Sequence, residues 1–465
     1  MPYDVYSKAG ANVAFATAAQ GAKADTAVQP EALATHEADT TAVHGIADTS
    51  ALVVTTDPRL SDAVLLTSPR PRKPVNTALV TSFQSGHGYT NYNGTVDTLT
   101  DDTTRYLMGT QSLRFTTKSD NTAAQVAKAA QPPIATSGKS FRLLLRVDDF
   151  TNLTEIVFYA GSDTMASYYQ WNLADADPTF AQHLFKSGEW FWFTLGFQDA
   201  SVIGTPTRDG FITQLRLRAR ASNGNTVAVN WGAVALTDES TAYPNGVVSF
   251  TYDDSYLSHW TEARKALDKQ GYVGTFYTIC DLVDSGASWM TTQQLKNLQR
   301  AGHEIAAHAY TLADHQTGFH NMTDAALAED LRLMRRWLTD RGFTGGDHLA
   351  WPQGGYTPAT LDVTRKFFAS ARTVNRRTLE TLRPADALRL RSFSVSNTDT
   401  EAQVKAKIDA TKANRSWLVL TFHDLVVSPG NGNQFPITTH QNLVDYCAAQ
   451  GIAVLPVGEV LRTAT

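Results

Sequence analysis

Four stretches in the second half of the chain carry residues that could do chemistry together. Asp253 and Asp254 follow the apolar run Val247-Val-Ser-Phe-Thr-Tyr252. His308 ends Glu304-Ile-Ala-Ala-His308, and His315 comes seven residues later. Trp351-Pro352-Gln353-Gly354 closes a third run, and His423-Asp424 a fourth. Carboxylate and imidazole are the donors that Zn²⁺ or a similar divalent ion accepts. The same groups serve as general base and general acid near neutral pH. Taken singly, an Asp-Asp pair after a strand is a common turn or cap, and a lone histidine at a strand end is usually structural. Recurrence at four strand ends is what argues for a site. Glycoside hydrolysis is a poor fit, because it needs two carboxylates flanking one bond.

The elements that must position these residues alternate between strand and helix from 245 to 465. Val247–Tyr252, Gly274–Thr278, Glu304–His308, His348–Trp351, Ala369–Val374, Arg391–Val395, Ser416–Thr421 and Ile452–Pro456 read as strands. Ser258–Gln270 has helical spacing and stops at Gly271, and Thr291–Arg300 opens on a threonine cap. Thr323–Asp340 is a long helix with Leu327, Leu331, Met334 and Leu338 on one face. Repeated β-α units imply a parallel sheet, here a distorted, closed or nearly closed (β/α) barrel. Its reacting groups collect at the carboxyl ends of the strands, where the residues above fall.

With these motifs the segment resembles the NodB-like polysaccharide deacetylases, carbohydrate esterase family 4. Thr251-Tyr252-Asp253-Asp254, Gly302-His303-Glu304-Ile305-Ala306-Ala307-His308 and Thr421-Phe422-His423-Asp424 carry the resemblance, which spans Val247 to Val460. It implies metal-dependent hydrolysis of acetyl groups, usually the N-acetyl of glucosamine units in a polysaccharide. Asp254 and His308 would be metal ligands, Asp253 the general base and His423 the general acid. The resemblance is incomplete in three places. The family's second metal histidine falls where Leu312 stands, so His315 is expected to replace it, with the 308–315 stretch helical and His320 in reserve. The family's arginine is missing from Trp351-Pro352-Gln353-Gly354-Gly355-Tyr356. Gln353 would offer its backbone N–H to the oxyanion, and Arg372 would hold the base instead. Asp399 is the expected partner of His423, and Trp351, Pro352 and Tyr356 are expected to line the sugar subsite. The alternative is a catalytically inactive tail protein that recognises acetylated glycan.

Residues 76–240 read as β-structure. Short alternating runs such as Phe141–Val147, Trp190–Thr194 and Phe211–Arg218 are separated by Gly and Ser-Gly turns, suggesting a sandwich or jelly roll. Trp190, Trp192, Tyr168 and Tyr169 could stack on sugar, or the domain could act as a spacer. Residues 1–70 differ again: fourteen of the first fifty are alanine, and Ala-Asp-Thr recurs at 24, 38 and 47. Such a segment needs a partner or copies of itself to order. The stretch His36–Asp62 resembles tail-fibre and minor tail proteins of bacterial viruses. That likeness implies attachment to other tail proteins, a homotrimer and a place on the virion. Ser68–Val75, with three prolines, reads as a linker.

The whole chain has 465 residues and net charge −5, with 42% hydrophobic and 18% charged residues. Its size fits two or three domains. Nothing basic suggests nucleic acid, and no apolar run is long enough to span a membrane. The opening residues lack the pattern of a signal peptide. Cys280 and Cys447 are expected to be unpaired thiols in cores.

Overall fold

The computed structural model describes residue 74 and residues 76–128, 131–173, 186–208, 210–375 and 378–464. The attachment segment expected at 1–70 lies outside the described residues, as does most of the proline-rich stretch after it. Among the described residues, no helix is long and apolar enough to cross a membrane. Cys280 and Cys447 are buried and free.

Residues 77–238 form two six-stranded antiparallel sheets around one shared core. One sheet runs in the order Trp190–Leu195, Lys139–Val147, Ala228–Asp238, Ser112–Thr116, Thr98–Asp102, with Thr77–Thr81 also on Ala228–Asp238. The other runs Ser201–Ile203, Ser167–Asn172, Leu153–Ser162, Gln214–Ala221, Ala124–Ala127, Thr90–Asn91. Gln214–Ala221 shows the period-two logic: Leu215, Leu217, Ala219 and Ala221 are buried while the three intervening arginines are half-exposed. The first sheet is buried on both faces. Leu143 and Leu145 point to the shared core, whereas Leu144, Trp192, Ala233 and Ala235 cluster with Ala385 of the C-terminal half.

The C-terminal half is built on a parallel sheet. Its order is Ser370–Arg372, His348–Ala350, Glu304–Ala309, Thr275–Ile279, Val247–Tyr252, Trp417–Phe422, Phe393–Ser394. Ala453–Val454 pairs beside the lower part of Val247–Tyr252. The two ends of this order meet. The backbone of Leu390–Ser392 bonds to Ala371, Thr373 and Asn375 on one side, and Phe393–Val395 pairs with Leu420 and Thr421 on the other. Among the described residues from Thr373 to Thr400 of this closing segment, the helical structure is a single turn at Ala387–Arg389. The first antiparallel sheet packs on it through Ala385, and the segment's Leu382 and Leu390 also pack against the Val457–Thr463 helix. Arg142 Nη2 donates to Arg383 O at 2.9 Å, Arg391 Nη2 to Thr194 O at 3.1 Å, and Leu379 N–H to Asp199 Oδ2 at 2.9 Å. Arg389 pairs with Glu189 across the same seam. Trp190 and Trp192, considered above as sugar platforms, are turned to this seam, and Tyr169 is buried against Phe197.

Candidate active site

Strand register brings the first two groups together. Tyr252 pairs with Phe422 in the parallel ladder, so Asp253 and His423 leave adjacent strand ends at one level. Asp253 N–H donates to Phe422 O at 3.0 Å, and His423 Nε2 lies 3.9 Å from Asp253 Oδ2. His423 is held from below: its carbonyl oxygen is 2.9 Å from His259 Nε2. Burial takes the His259 imidazole down to about 4, so it is neutral and must donate through Nε2.

Asp254 and Ser255 both adopt left-handed backbone, at φ 72° and 65°. Two consecutive non-glycine residues there are strained. The Ser255 side chain accepts from Ile279 N–H at 3.2 Å, and its carbonyl accepts from Met290 N–H at 2.9 Å, which pins the turn. The turn carries the Asp254 carboxylate toward the histidines. His308 sits at a bulge: Thr278 pairs with Ala307 but Ile279 pairs with Ala309, leaving His308 as the extra residue. Its Nδ1 lies 2.9 Å from Ala350 O. A carbonyl only accepts, so Nδ1 carries the proton and the Nε2 lone pair faces the cluster.

His315 reaches the same point by a route the spacing did not foretell. Residues 308–315 are not one helix. The strand ends at Ala309, Tyr310 and Thr311 turn the chain, and His315 lies in the short Leu312–Thr317 helix that Thr311 caps. Leu312 packs against the barrel core, and its N–H donates to the Asp281 carboxylate at 3.0 Å. Tyr310 N–H donates to Asp330 Oδ2 at 3.0 Å, bracing the turn from the Asp324–Asp340 helix.

Asp254 Oδ1, His308 Nε2 and His315 Nε2 form a triangle with sides of 3.4, 3.4 and 3.1 Å. A circle of radius about 1.9 Å passes through such points, so one divalent ion with bonds of about 2.0–2.2 Å fits just off their plane. Asp254 Oδ1 is buried without a hydrogen-bond partner. Among the described residues this is the one group of three or more donors close enough to hold an ion. The electrostatics agree with the geometry. Against the pull of burial, Asp253 and Asp254 hold the His308 imidazole above its ordinary range. Burial and the neighbouring His308 press His315 down to about 4, leaving it free to ligate. The site favours a cation among its carboxylates.

Arg372, the last residue of its strand, lies inside the barrel with its Nη2 on both Asp253 oxygens. Burial alone would raise the Asp253 carboxyl; Arg372, together with His308 and His423, outweighs it and holds the group below the usual range. Ser392, which sequence reasoning missed, takes Arg372 Nη1 at 3.4 Å and ties it to Thr373 O and Thr421 Oγ1.

Other expected residues stand elsewhere. Asp399 accepts from the Ser396 N–H and hydroxyl at 2.8 and 2.9 Å, whereas His423 Nδ1 is buried with no hydrogen-bond partner. Asp399 therefore does not orient His423. Trp351, Pro352 and Tyr356 are buried, Trp351 with its Nε1–H on Leu388 O, so they present no face to a sugar. They are apolar residues in a tight turn, and the core claimed them. Gln353 is exposed at φ 57°, and its side-chain amide donates to Gln316 O at 2.9 Å, tying this loop to the His315 helix. His320 accepts from Asn321 and stands outside the donor triangle. A polar cleft of about 420 Å³ opens beside the site instead, lined by Tyr256, Asp424 and Asn431–Gln434. Its sequence signal is the turn-rich run Ser428-Pro-Gly-Asn-Gly-Asn-Gln434 between a strand end and a helix.

The polysaccharide deacetylase family model matches residues 241–369, which include Asp253, Asp254, His308 and His315. That stretch is a polysaccharide deacetylase domain. No curated protein matches the chain. Among solved structures, a family 4 acetyl xylan esterase from Clostridium thermocellum in complex with a cobalt ion is 16% identical, at TM-score 0.33, over 46% of this chain and 90% of its own. A family 4 carbohydrate esterase from Bacillus anthracis is 13% identical, at TM-score 0.33, over 48% and 86%. The Xyl-CE4 domain of a multidomain xylanase from the hindgut metagenome of Trinervitermes trinervoides is 15% identical, at TM-score 0.34, over 47% and 90%.

Proposed function

We propose that this protein removes acetyl groups, chiefly the N-acetyl of glucosamine units, from a bacterial surface polysaccharide. The observation that carries the reading is the donor triangle of Asp254, His308 and His315 set beside the Asp253–His423 pair. Asp254, His308 and His315 would hold a divalent ion, Zn²⁺ by donor type. Such an ion supplies Lewis acidity to an acetyl carbonyl and acidity to water. The remaining work belongs to the chain. Asp253, kept ionised by Arg372, takes a proton from the attacking water, whose oxygen bonds to the acetyl carbon. His423 gives a proton to the nitrogen as the C–N bond breaks, so acetate and a free amine leave. Gln353 would offer its backbone N–H to the oxyanion, and the cleft at Tyr256 and Asn431–Gln434 would seat the sugar.

The resemblance of His36–Asp62 supports a place on the tail of a bacterial virus, in a homotrimer with other tail proteins, bringing the barrel to host glycan. Acetate release from acetylated glucosamine oligomers tests the catalytic reading. Release should stop on chelation, return with Zn²⁺ and be absent in His315→Ala. No release from any acetylated glycan, with metal present, overturns it.

A further inference from the structure

The helix that carries His315 is placed differently from the strands around it. Leu312–Thr317 has six residues, and none of them is fully buried. Helices this short are marginal by themselves, so contacts outside the helix must fix where it sits. The His315 ring is not oriented from behind either. Among the described residues, His308 Nδ1 has the Ala350 carbonyl, whereas no group shares a hydrogen bond with His315 Nδ1. Two carboxylates outside the donor triangle hold the entry to the helix. Asp330, 3% exposed on Asp324–Asp340, accepts from Tyr310 N–H through Oδ2 at 3.0 Å. Asp281, in the single turn after Thr275–Ile279, accepts from Leu312 N–H on both oxygens at 3.0 Å. Its own N–H donates to Tyr310 O at 3.1 Å. Between these contacts Thr311 caps the helix, its Oγ1 accepting from Asp314 N–H at 3.0 Å.

A histidine that binds a metal is ordinarily oriented by a partner on its second ring nitrogen. Where that partner is missing, the backbone that carries the ring has to do the placing, and here that backbone rests on Asp281 and Asp330. Tyr310 and Leu312 flank the capping residue, so a shift of either moves the short helix as a unit. We propose that Asp281 and Asp330 are positioning residues for His315, and that they set how tightly the donor triangle holds a divalent ion although neither belongs to it. This rests on the reading of Asp254, His308 and His315 as metal ligands. Burial pushes the Asp330 carboxyl up to about 8, so asparagine at 330 keeps both its uncharged state at neutral pH and its acceptor oxygen.

Competition between the full chain and a chelator for Co²⁺, read by the visible absorption of the bound ion, tests this. Asp330→Ala should weaken Co²⁺ binding by about ten-fold or more, in the range known for outer partners of metal ligands. Asp281→Ala should weaken it several-fold, since its contact is exposed to water. Both should change the Co²⁺ spectrum, because the ligand itself has moved. Asp330→Asn and Asp281→Asn, which keep an acceptor oxygen, should bind Co²⁺ within about three-fold of the parent and restore its spectrum. Where Asp330→Ala fails to fold, Asp281→Ala, whose side chain is exposed, carries the test. Alanine variants that bind Co²⁺ as tightly as the parent overturn the proposal. So does weakening with an unaltered spectrum, or weakening by asparagine as great as by alanine, for either would mark a general loosening of the fold. A parent that binds no Co²⁺ refutes the metal-ligand reading and this proposal with it; a parent that binds it while the alanine variants match it overturns this proposal alone.

Discussion

Arg372→Ala isolates the strongest electrostatic contact in the site. The guanidinium is 1% exposed and the Asp253 side chain 4%, so neither charge is screened by water. Removing one partner of such a pair leaves a buried carboxylate uncompensated, at a cost of about 3–5 kcal/mol. The variant should recover part of this by protonating Asp253. The arginine holds the carboxylate below its ordinary range, so the acidic limb of kcat/KM should move to higher pH. The stability change has a definite sign. In the parent, Asp253 has a depressed folded pKa; its contribution is present above the unfolded value and is lost as pH falls through the folded one. In the variant, burial is opposed only by His308 and His423, so the folded pKa rises and the stability that the ionised carboxylate contributes at higher pH shrinks. The loss measured by urea unfolding should therefore be larger at pH 8 than at pH 4.5. Asp253→Asn on the Arg372→Ala background should restore much of the stability and none of the activity. An acidic limb that does not move, with a stability loss equal at the two pH values, would refute the idea that Arg372 acts through the charge of Asp253.

Three further expectations are open to direct measurement. His315→Ala should lower divalent-metal content, read by elemental analysis, as far as His308→Ala does, whereas Asp253→Asn should keep the metal and lose turnover, and Leu312→Ala should keep both with a loss of about 1–2 kcal/mol for its partly buried side chain. Burial, with Asp314 nearby, pushes the Asp330 carboxyl up to about 8 despite the Tyr310 N–H. Its folded pKa lies above the unfolded one, so stability should fall between pH 4 and 8; Asp330→Asn should flatten that fall and gain about 2–5 kcal/mol at pH 8. A chain beginning at residue 241 exposes the face of the closing segment that the first antiparallel sheet covers and strips Arg391 of Thr194 O and Leu379 N–H of Asp199. Circular dichroism and gel filtration should show it unfolded or aggregated, and a monomeric, cooperatively folding product would contradict the role given to the sheet.

Much of this site was legible in the chain because two simple periods govern it. Strands of period two, separated by helices, send every strand end to one face, so Asp253, Asp254, His308 and His423 could be grouped by their places in the β-α pattern. Such local rules hold because backbone hydrogen bonding and apolar burial act over a few residues. The other members depend on packing between distant segments. Arg372 meets Asp253 across 119 positions because the barrel curls back on itself. His315 meets His308 through a strand end, a two-residue turn and one turn of capped helix, not through helical periodicity. Trp351 and Tyr356 carry the same sequence signal whether they face a sugar or a core, and the tight turn at Gln353 buried them. Whether the β-rich half stands apart or completes the barrel could not be read from alternation either. A strand buried on both faces differs from one buried on one face only by what lies against it, and here that is the closing segment from Leu379 to Arg391. The sequence alone determined the chemistry available and the face that carries it; the tertiary structure decided which side chains meet, because burial and long-range register are properties of the whole fold.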